Sequence, residues 1–148
     1  MDSYVFFGSY LNLDNNFIPD LSPLYQLSEL TFVSVKENQL TDVEALKTAE
    51  NLEELYLGGN KVEDLGPLKK FKSLKALSLN DNPIHDLAYL DTLEAIEELG
   101  IKGCFVEDYQ PLSLIPKLKS LDLRGCKHKM NPTKVFGAEA ARRIRKEN

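Results

Sequence analysis

Aspartate is the residue type in this chain whose spacing first suggests chemistry. Five aspartates recur every 22 residues, namely Asp20, Asp42, Asp64, Asp86 and Asp108. Carboxylates gathered in one place can bind metal ions or act as general acids and bases. A 22-residue spacing instead places one carboxylate in each unit of a repeat, just before a segment such as Leu65-Gly66-Pro67-Leu68. We therefore predict that they are N-caps of short helical turns whose first turn carries Pro23, Pro67 and Pro111.

Cys104, Cys126 and His128 are the other residues that could hold a metal. A structural zinc site takes four ligands, whereas the chain has two cysteines and two histidines in all. A zinc site seeded by Cys126 and His128 is therefore less favoured than two free, buried thiols. No phosphate-binding loop, nucleophile elbow or His-Glu metal motif occurs, and His85 has no catalytic partner at a recognisable spacing. The sequence predicts no metal, no cofactor and no enzymatic activity.

The same 22-residue period runs through most of the chain without insertions. The repeats start at Gly8, Leu30, Leu52, Leu74, Ile96 and Leu118. The fourth repeat position holds Leu11, Val33, Leu55, Leu77, Leu99 and Leu121. The sixth holds Leu13, Val35, Leu57, Leu79, Ile101 and Leu123. The ninth holds Asn16, Asn38, Asn60, Asn82, Cys104 and Cys126. Positions four and six lie on one side of an extended strand, so each repeat is predicted to contribute one short strand to a shared core.

This arrangement, L-x-x-L-x-L-x-x-N/C-x-L, is the pattern of leucine-rich repeats. With its 22-residue length and its Asp-Leu-x-Pro-Leu segment, the chain resembles the repeats of internalins and of the leucine-rich regulatory subunit of protein phosphatase 1 over residues 8–126. The resemblance implies an α/β fold, a right-handed curved leucine-rich-repeat solenoid with a parallel β-sheet on its concave face and short 3-10 or α turns on its convex face. We expect residues 1–148 to form a single domain, with a cap over 127–148. The ninth-position asparagines should satisfy loop backbone groups one repeat away.

The two ends of the repeat array are expected to differ. Asn131-Pro132 is typical of a helix start, and apolar residues then recur at helical spacing, at Val135, Phe136, Ala140 and Ile144. We predict a C-terminal capping helix whose outer face carries Arg142, Arg143, Arg145 and Lys146. At the other end, residues 5–13 are expected to form one extended edge strand without a capping helix. That open edge predicts a monomer, or weak self-association through the N-terminal strand.

Composition and charge narrow the class of protein. The chain has 148 residues, of which 43% are hydrophobic and 28% charged. Its first seven residues lack the basic region of a signal peptide, and no apolar run approaches the length of a membrane span. We therefore expect a cytoplasmic protein without a membrane partner. The net charge of −5 hides an asymmetry, because residues 1–117 hold 9 basic and 20 acidic residues while residues 118–148 hold 9 basic and 3 acidic ones.

The resemblance places repeat positions three, five, seven and eight on the concave surface. Core packing does not require aromatic residues there, yet Tyr10, Phe32 and Tyr56 occupy such positions beside charged neighbours. Exposed aromatic and charged side chains together are typical of protein interfaces. The predicted partner-binding residues are Tyr10, Phe32, Lys36, Glu54, Tyr56, Asn80, Glu98, Lys102, Asp122 and Arg124. The alternative is that Tyr10 and Phe32 merely pack beneath the N-terminal segment.

Two functions follow from these surfaces. The favoured one is a non-catalytic module that binds a protein partner through its concave face, as an adaptor, regulatory subunit, effector or toxin-neutralising partner does. The alternative is an accessory subunit of a ribonucleoprotein, because clustered Lys and Arg residues are the footprint of nucleic-acid binding. The basic C-terminal segment has no interleaved aromatic residue apart from Phe136. A solvated helix face is the simpler interpretation, and nucleic acid is the less favoured partner.

Overall fold

The structure, a computed structural model, describes the backbone of residues 5–147 and the side chains of residues 8–142 and 144. Within residues 5–147, eight strands form one sheet in chain order. They are β1 (Val5–Phe7), β2 (Tyr10–Asn12), β3 (Phe32–Ser34), β4 (Glu54–Tyr56), β5 (Ala76–Ser78), β6 (Glu98–Gly100), β7 (Ser120–Asp122) and β8 (Arg145–Glu147). The helical elements are five 3-10 helices, Ser22–Leu24, Glu44–Thr48, Gly66–Lys70, Leu90–Thr92 and Gln110–Leu114, and one α-helix, α1 (Pro132–Arg143).

Strands β2 to β7 are the six repeat strands. Each pairs in parallel with the next at an offset of 22 residues, so Leu55 stands between Val33 and Leu77. All six fourth-position side chains are buried, and the sixth-position side chains are buried except at the two end repeats. The predicted core column and the leucine-rich-repeat solenoid are therefore confirmed. A single repeat could not bury this face, and stacked neighbours cover it.

The ninth-position asparagines connect each coil to the preceding one. Asn60 Nδ2 donates to the carbonyl of Val35 in the preceding repeat and to that of Leu57 in its own, both at 2.9 Å. Asn60 Oδ1 accepts from the N–H of Leu40 at 3.0 Å. Asn38 and Asn82 make the equivalent bonds. This confirms that the asparagines satisfy backbone groups one repeat away, as buried amides must.

The recurring aspartates lie just before the convex turns, but they do not occupy the N-cap position that was predicted for them. Each accepts a hydrogen bond from the backbone N–H two residues on, for example Asp64 Oδ1 from Gly66 at 2.8 Å. The other four do the same. Except in the fourth repeat, the residue in the N-cap position is the one that follows the aspartate, such as Leu65, and its side chain makes no capping bond. The N-cap assignment is thus wrong by one residue, because the side chain closes an Asx turn.

Proline begins the 3-10 helices as expected, with Pro23, Pro67 and Pro111 in their first turns. The fourth repeat departs from this pattern. Tyr89 stands at the position of those prolines and has a φ of +72°, which non-glycine residues adopt at a cost. Its 3-10 helix consequently begins only at Leu90.

The N-terminal end is a hairpin, so the predicted single edge strand over residues 5–13 is wrong. Gly8 has a φ of +58°, which lets the chain reverse between β1 and β2. Strand β1 then pairs antiparallel with β2, with Phe7 opposite Tyr10. The hairpin occupies the edge of the parallel sheet, and self-association through this edge stays a prediction.

The C-terminal cap consists of a helix and a further strand. Asn131 caps α1 by accepting from Lys134 N–H at 3.1 Å, and Val135, Phe136 and Ile144 pack against the core, which confirms the capping helix. Gly137 interrupts the helix with a φ of +76°. Arg145 and Lys146 belong to β8, which pairs in parallel with β7, so their predicted place on the helix is wrong. Pairing with an available sheet edge outweighs the helical preference of these residues.

Leu77→Ala tests the core column at its centre. Leu77 is 1% exposed, so lost burial and the cavity left behind should lower the free energy of unfolding by about 2–5 kcal/mol in a denaturant melt. Leu114→Ala is the matched control, because Leu114 is 63% exposed and should change stability by less than about 0.5 kcal/mol. Equal effects of the two substitutions would contradict the assignment of Leu77 to the core.

Asn60→Ala tests the contact between coils. It leaves the Leu40 N–H and the Val35 carbonyl without their side-chain partner, so we expect a loss of about 2–4 kcal/mol. Asn60→Cys should cost less, since Cys104 and Cys126 donate to carbonyls from the equivalent position. Asn51→Ala, at an exposed asparagine, is the control. A loss at Asn60 no larger than that at Asn51 in the same melts would refute the role given to the amide.

Candidate protein-binding surface

Three aromatic rings lie side by side on the concave face of the first three repeat strands. The Tyr10 and Phe32 rings stack with centroids 4.2 Å apart and planes 9° from parallel. The Phe32 and Tyr56 rings follow at 5.5 Å with a tilt of 41°. Tyr10 is 38% exposed, and the other two rings are partly exposed. The cluster Tyr10, Phe32 and Tyr56, called the aromatic cluster below, therefore retains accessible ring surface although β1 lies beside it.

Glu54 holds the Tyr56 ring in place. The Tyr56 hydroxyl donates to Glu54 Oε2 at 2.8 Å. Burial, this hydrogen bond and the negative charges of Glu54 and Glu98 raise the pKa of Tyr56 to about 12. Tyr56 consequently stays a neutral hydrogen-bond donor at physiological pH, and its ring forms a fixed wall on the concave face.

The basic residues predicted to bind a partner are all engaged within the chain. Lys36 Nζ lies 3.2 Å from Asp14, and Lys102 Nζ lies 3.2 Å from Asp81. Arg124 Nη2 lies 2.7 Å from Asp122, whose pKa is lowered mainly by its hydrogen bond to Arg124. The basic charge of this surface is therefore already compensated.

Glu98 stands apart from these pairs. It is exposed, and within the described part of the chain the structure shows no hydrogen bond or ion pair for its side chain. Together with Glu54 it gives the middle of the concave face an excess of negative charge.

Asn80 has a structural role that the sequence did not indicate. Its Oδ1 accepts from the N–H of Lys102 at 2.8 Å, one repeat away. Asp14 does the same for Lys36 at 2.7 Å. The Asn80 amide lies so close to Gly100 that a Cβ added there would come within 2.7 Å of it. The floor of the surface is thus low at Gly100 because a larger residue would displace Asn80.

Position eight, which we expected on the concave surface, is a turn in every repeat. All six residues there have a φ between 53° and 70°, namely Asn15, Glu37, Gly59, Asp81, Gly103 and Gly125. Asn, Asp and Gly adopt this left-handed conformation most readily, so this backbone requirement explains most of the residue types at this position.

Several surface features of the structure were not predicted from the sequence. At position two, charges of opposite sign pair across neighbouring strands, as Glu53 with Lys75 at 2.8 Å and Glu97 with Lys119 at 2.7 Å. The alternation of sign at a spacing of 22 residues could have revealed them. Away from the concave face, Phe17 is 83% exposed, and Tyr25 and Tyr89 each lie under a lysine ammonium.

The thiols of Cys104 and Cys126 are both free, but they differ in exposure. Cys104 is buried, and burial raises its pKa to about 11. Cys126 is only half-buried, so the expectation of two buried thiols holds for Cys104 alone. Burial is also the main cause of the raised pKa of Cys126. Cys126 lies one repeat from Cys104. The backbone carbonyl of His128, the residue considered with Cys126 for a zinc site, accepts a hydrogen bond from the Tyr109 hydroxyl at 2.7 Å. Among the described residues, no three His, Cys, Asp or Glu side chains come together as a metal site.

The basic C-terminal segment is described only in part. Arg142 is exposed, as expected of the outer face of α1. The side chains of Arg143, Arg145 and Lys146 lie outside the described residues. Within the described part of the chain, no helix has the length and apolar character needed to cross a membrane.

A model of two consecutive leucine-rich repeats matches residues 50–93. This match falls on β4 and β5, the central pair of strands with a 22-residue offset. The chain contains leucine-rich repeats. A search of curated proteins by sequence returned no match.

Solved structures of other leucine-rich-repeat proteins share the fold. An internalin of Listeria monocytogenes is 31% identical over 79% of this chain and 34% of its own, with a TM-score of 0.76. Internalin C2 of the same organism is 23% identical over 86% of this chain and 67% of its own, with a TM-score of 0.74. A leucine-rich-repeat protein of Leptospira interrogans is 22% identical over 94% of this chain and 36% of its own, with a TM-score of 0.80. The chain thus spans about a third of the first and third of these proteins.

These similarities confirm the resemblance to internalins inferred from the repeat pattern. Leucine-rich repeats are generally protein-interaction modules, because stacked repeats present an extended concave surface.

Thiol labelling at pH 8 should separate the two cysteines. Raising the pKa of Cys104 from 9.0 to about 11 lowers its thiolate fraction about 100-fold, and burial further blocks the reagent. In single Cys→Ser variants we expect the remaining Cys104 to react at least about tenfold more slowly than the remaining Cys126. Labelling in denaturant is the control, in which both should react alike. Equal rates in the folded proteins would contradict the burial of Cys104.

Proposed function

We propose that this leucine-rich-repeat protein is a non-catalytic module that binds a protein partner through its concave face, centred on the aromatic cluster and Glu54. The observation that carries the proposal is the stack of Tyr10, Phe32 and Tyr56 with accessible ring surface. The fourth- and sixth-position side chains fill the core, the asparagines join the coils and the aspartates close turns. The aromatic cluster has no comparable structural duty, and exposed aromatic residues of this kind are typical interface hot spots.

The charged residues divide into two groups in this proposal. Lys36, Lys102 and Arg124 are held by neighbouring carboxylates, so they contribute mainly to the shape and polarity of the rim. Glu54 and Glu98 have no ion pair among the described residues, and their charge favours a partner that presents positive charge. Asn80 and Asp122 support the surface by fixing the backbone of Lys102 and the side chain of Arg124.

The surface also argues for a protein rather than a small molecule. The depression on the concave face is shallow and open, whereas small-molecule sites enclose most of their ligand. Stacked rings distributed over three strands suit an extended contact with another chain.

Tyr56→Ala tests the proposal against a partner captured from the native host and identified by mass spectrometry. Hot-spot aromatics cost about 2 kcal/mol or more on truncation, so binding should weaken by about thirtyfold or more. The free energy of unfolding should change by no more than about 1 kcal/mol, because Tyr56 lies outside the core. Affinity measured with purified partner gives the first value, and a denaturant melt gives the second.

Tyr25→Ala is the matched control, since Tyr25 is 49% exposed beside the convex 3-10 helices. It should leave the affinity unchanged within about twofold. The competing site is the basic C-terminal segment, tested by reversing the charges of Arg142, Arg143 and Lys146 together. If this triple variant abolishes binding while Tyr56→Ala leaves it intact, the concave-face proposal is wrong. A steep fall of affinity with salt in the wild-type protein would point to the ribonucleoprotein alternative.

A further inference from the structure

The concave face has a depression next to the aromatic cluster. Its floor is formed by the small residues Ala76, Ser78, Gly100 and Ser120. Tyr56, on β4, Glu98, on β6, and Asp122, on β7, also line it. The depression holds about 200 Å³, which is below the range of about 300–1,000 Å³ that is usual for small-molecule sites. Its size therefore suits one side chain of a partner better than a free metabolite.

An aromatic ring and a carboxylate line this depression. Tyr56 presents part of an aromatic ring whose orientation is fixed by the 2.8 Å bond to Glu54. Across the floor, the exposed Glu98 carboxylate has neither a hydrogen bond nor an ion pair among the residues that the structure describes. Glu98 nevertheless lies near enough for its charge to help raise the pKa of Tyr56. An aromatic ring and an unpaired carboxylate thus face one small space.

Among the residues whose side chains the structure describes, the basic residues of the concave surface are already paired. Lys36, Lys102 and Arg124, the basic residues of the concave surface, each have a carboxylate within 3.2 Å. Glu97, the neighbour of Glu98, is likewise paired with Lys119 at 2.7 Å. No side chain that the structure describes thus supplies a cation to Glu98, and a partner's cation would find this carboxylate without an ion pair.

We propose that the depression between Tyr56 and Glu98 receives a single cationic side chain, arginine or lysine, from the bound partner. The cation would lie against the Tyr56 ring and bind the Glu98 carboxylate, while its aliphatic part crosses the floor of small residues. This inference rests on the proposed function for the identity of the ligand as a protein. The site itself can be tested without the partner.

The probe is the capped peptide acetyl-Gly-Gly-Arg-Gly-Gly-amide, titrated into the isotopically labelled protein and followed by amide chemical shifts. Its neutral counterpart carries citrulline in place of arginine. We expect saturable shifts at Ser78, Gly100 and Ser120 with a dissociation constant of about 1–10 mM, and none with the citrulline peptide. Glu98→Gln should weaken binding about fivefold, the effect of a favourable exposed ion pair.

Glu97→Gln is the matched control, because it removes the same charge from the adjacent residue outside the depression. It should leave the dissociation constant unchanged within about twofold. The inference is overturned if the citrulline peptide binds equally well, if Glu97→Gln weakens binding as much as Glu98→Gln, or if no saturable shift occurs at these amides up to about 50 mM peptide.

The outcome is separable from that of the proposed function. If Tyr56→Ala disrupts the captured partner while the peptides show no preference for arginine, the concave-face proposal stands and the cation site falls. If the arginine peptide binds as expected while the partner tolerates Tyr56→Ala, the cation site stands and the concave-face proposal falls.

Discussion

The bridging amides of Asn38, Asn60 and Asn82 fix each coil of the solenoid relative to the one before it. Repeat strands of only three residues offer few ladder hydrogen bonds, so the loops need a second connection between coils. Each amide supplies it by donating to a carbonyl and accepting from an N–H of the preceding repeat. The constant 22-residue offset follows, and with it the inward fourth position and the outward third position. Tyr10 and Phe32 stack because this offset places them opposite each other.

The parts of the fold that repeat could be predicted from the sequence. The strand register, the core column and the role of Asn60 each recur several times. A deviating residue in one repeat therefore leaves the pattern visible in the others. The aspartates were assigned to turn formation correctly and to the N-cap wrongly. An Asx turn and an N-cap both place a carboxylate before a helical turn, and they differ by one residue. Structure alone decides between them.

Of the parts that do not repeat, the capping helix was predicted from the sequence and the two terminal strands were not. Gly8 allows a hairpin that no second repeat copies, and β8 (Arg145–Glu147) forms because β7 offers it an open edge. For a similar reason, the ion pairs of the basic surface residues were not predicted. Lys36 and Lys102 looked available in the sequence, yet their carboxylates come from residues 22 and 21 positions earlier. Only the stacked coils bring them together, whereas the Glu98 carboxylate has no ion pair among the described residues.

Site-specific photocrosslinking tests the central claim, that the partner contacts the concave face, most directly. Benzoylphenylalanine would replace Tyr10 on the concave face or Tyr25 beside the convex helices, two tyrosines of similar exposure, at 38% and 49%. After irradiation in the native host, we expect a covalent adduct with a protein partner from position 10 and none from position 25. An adduct from position 25 alone would contradict the account.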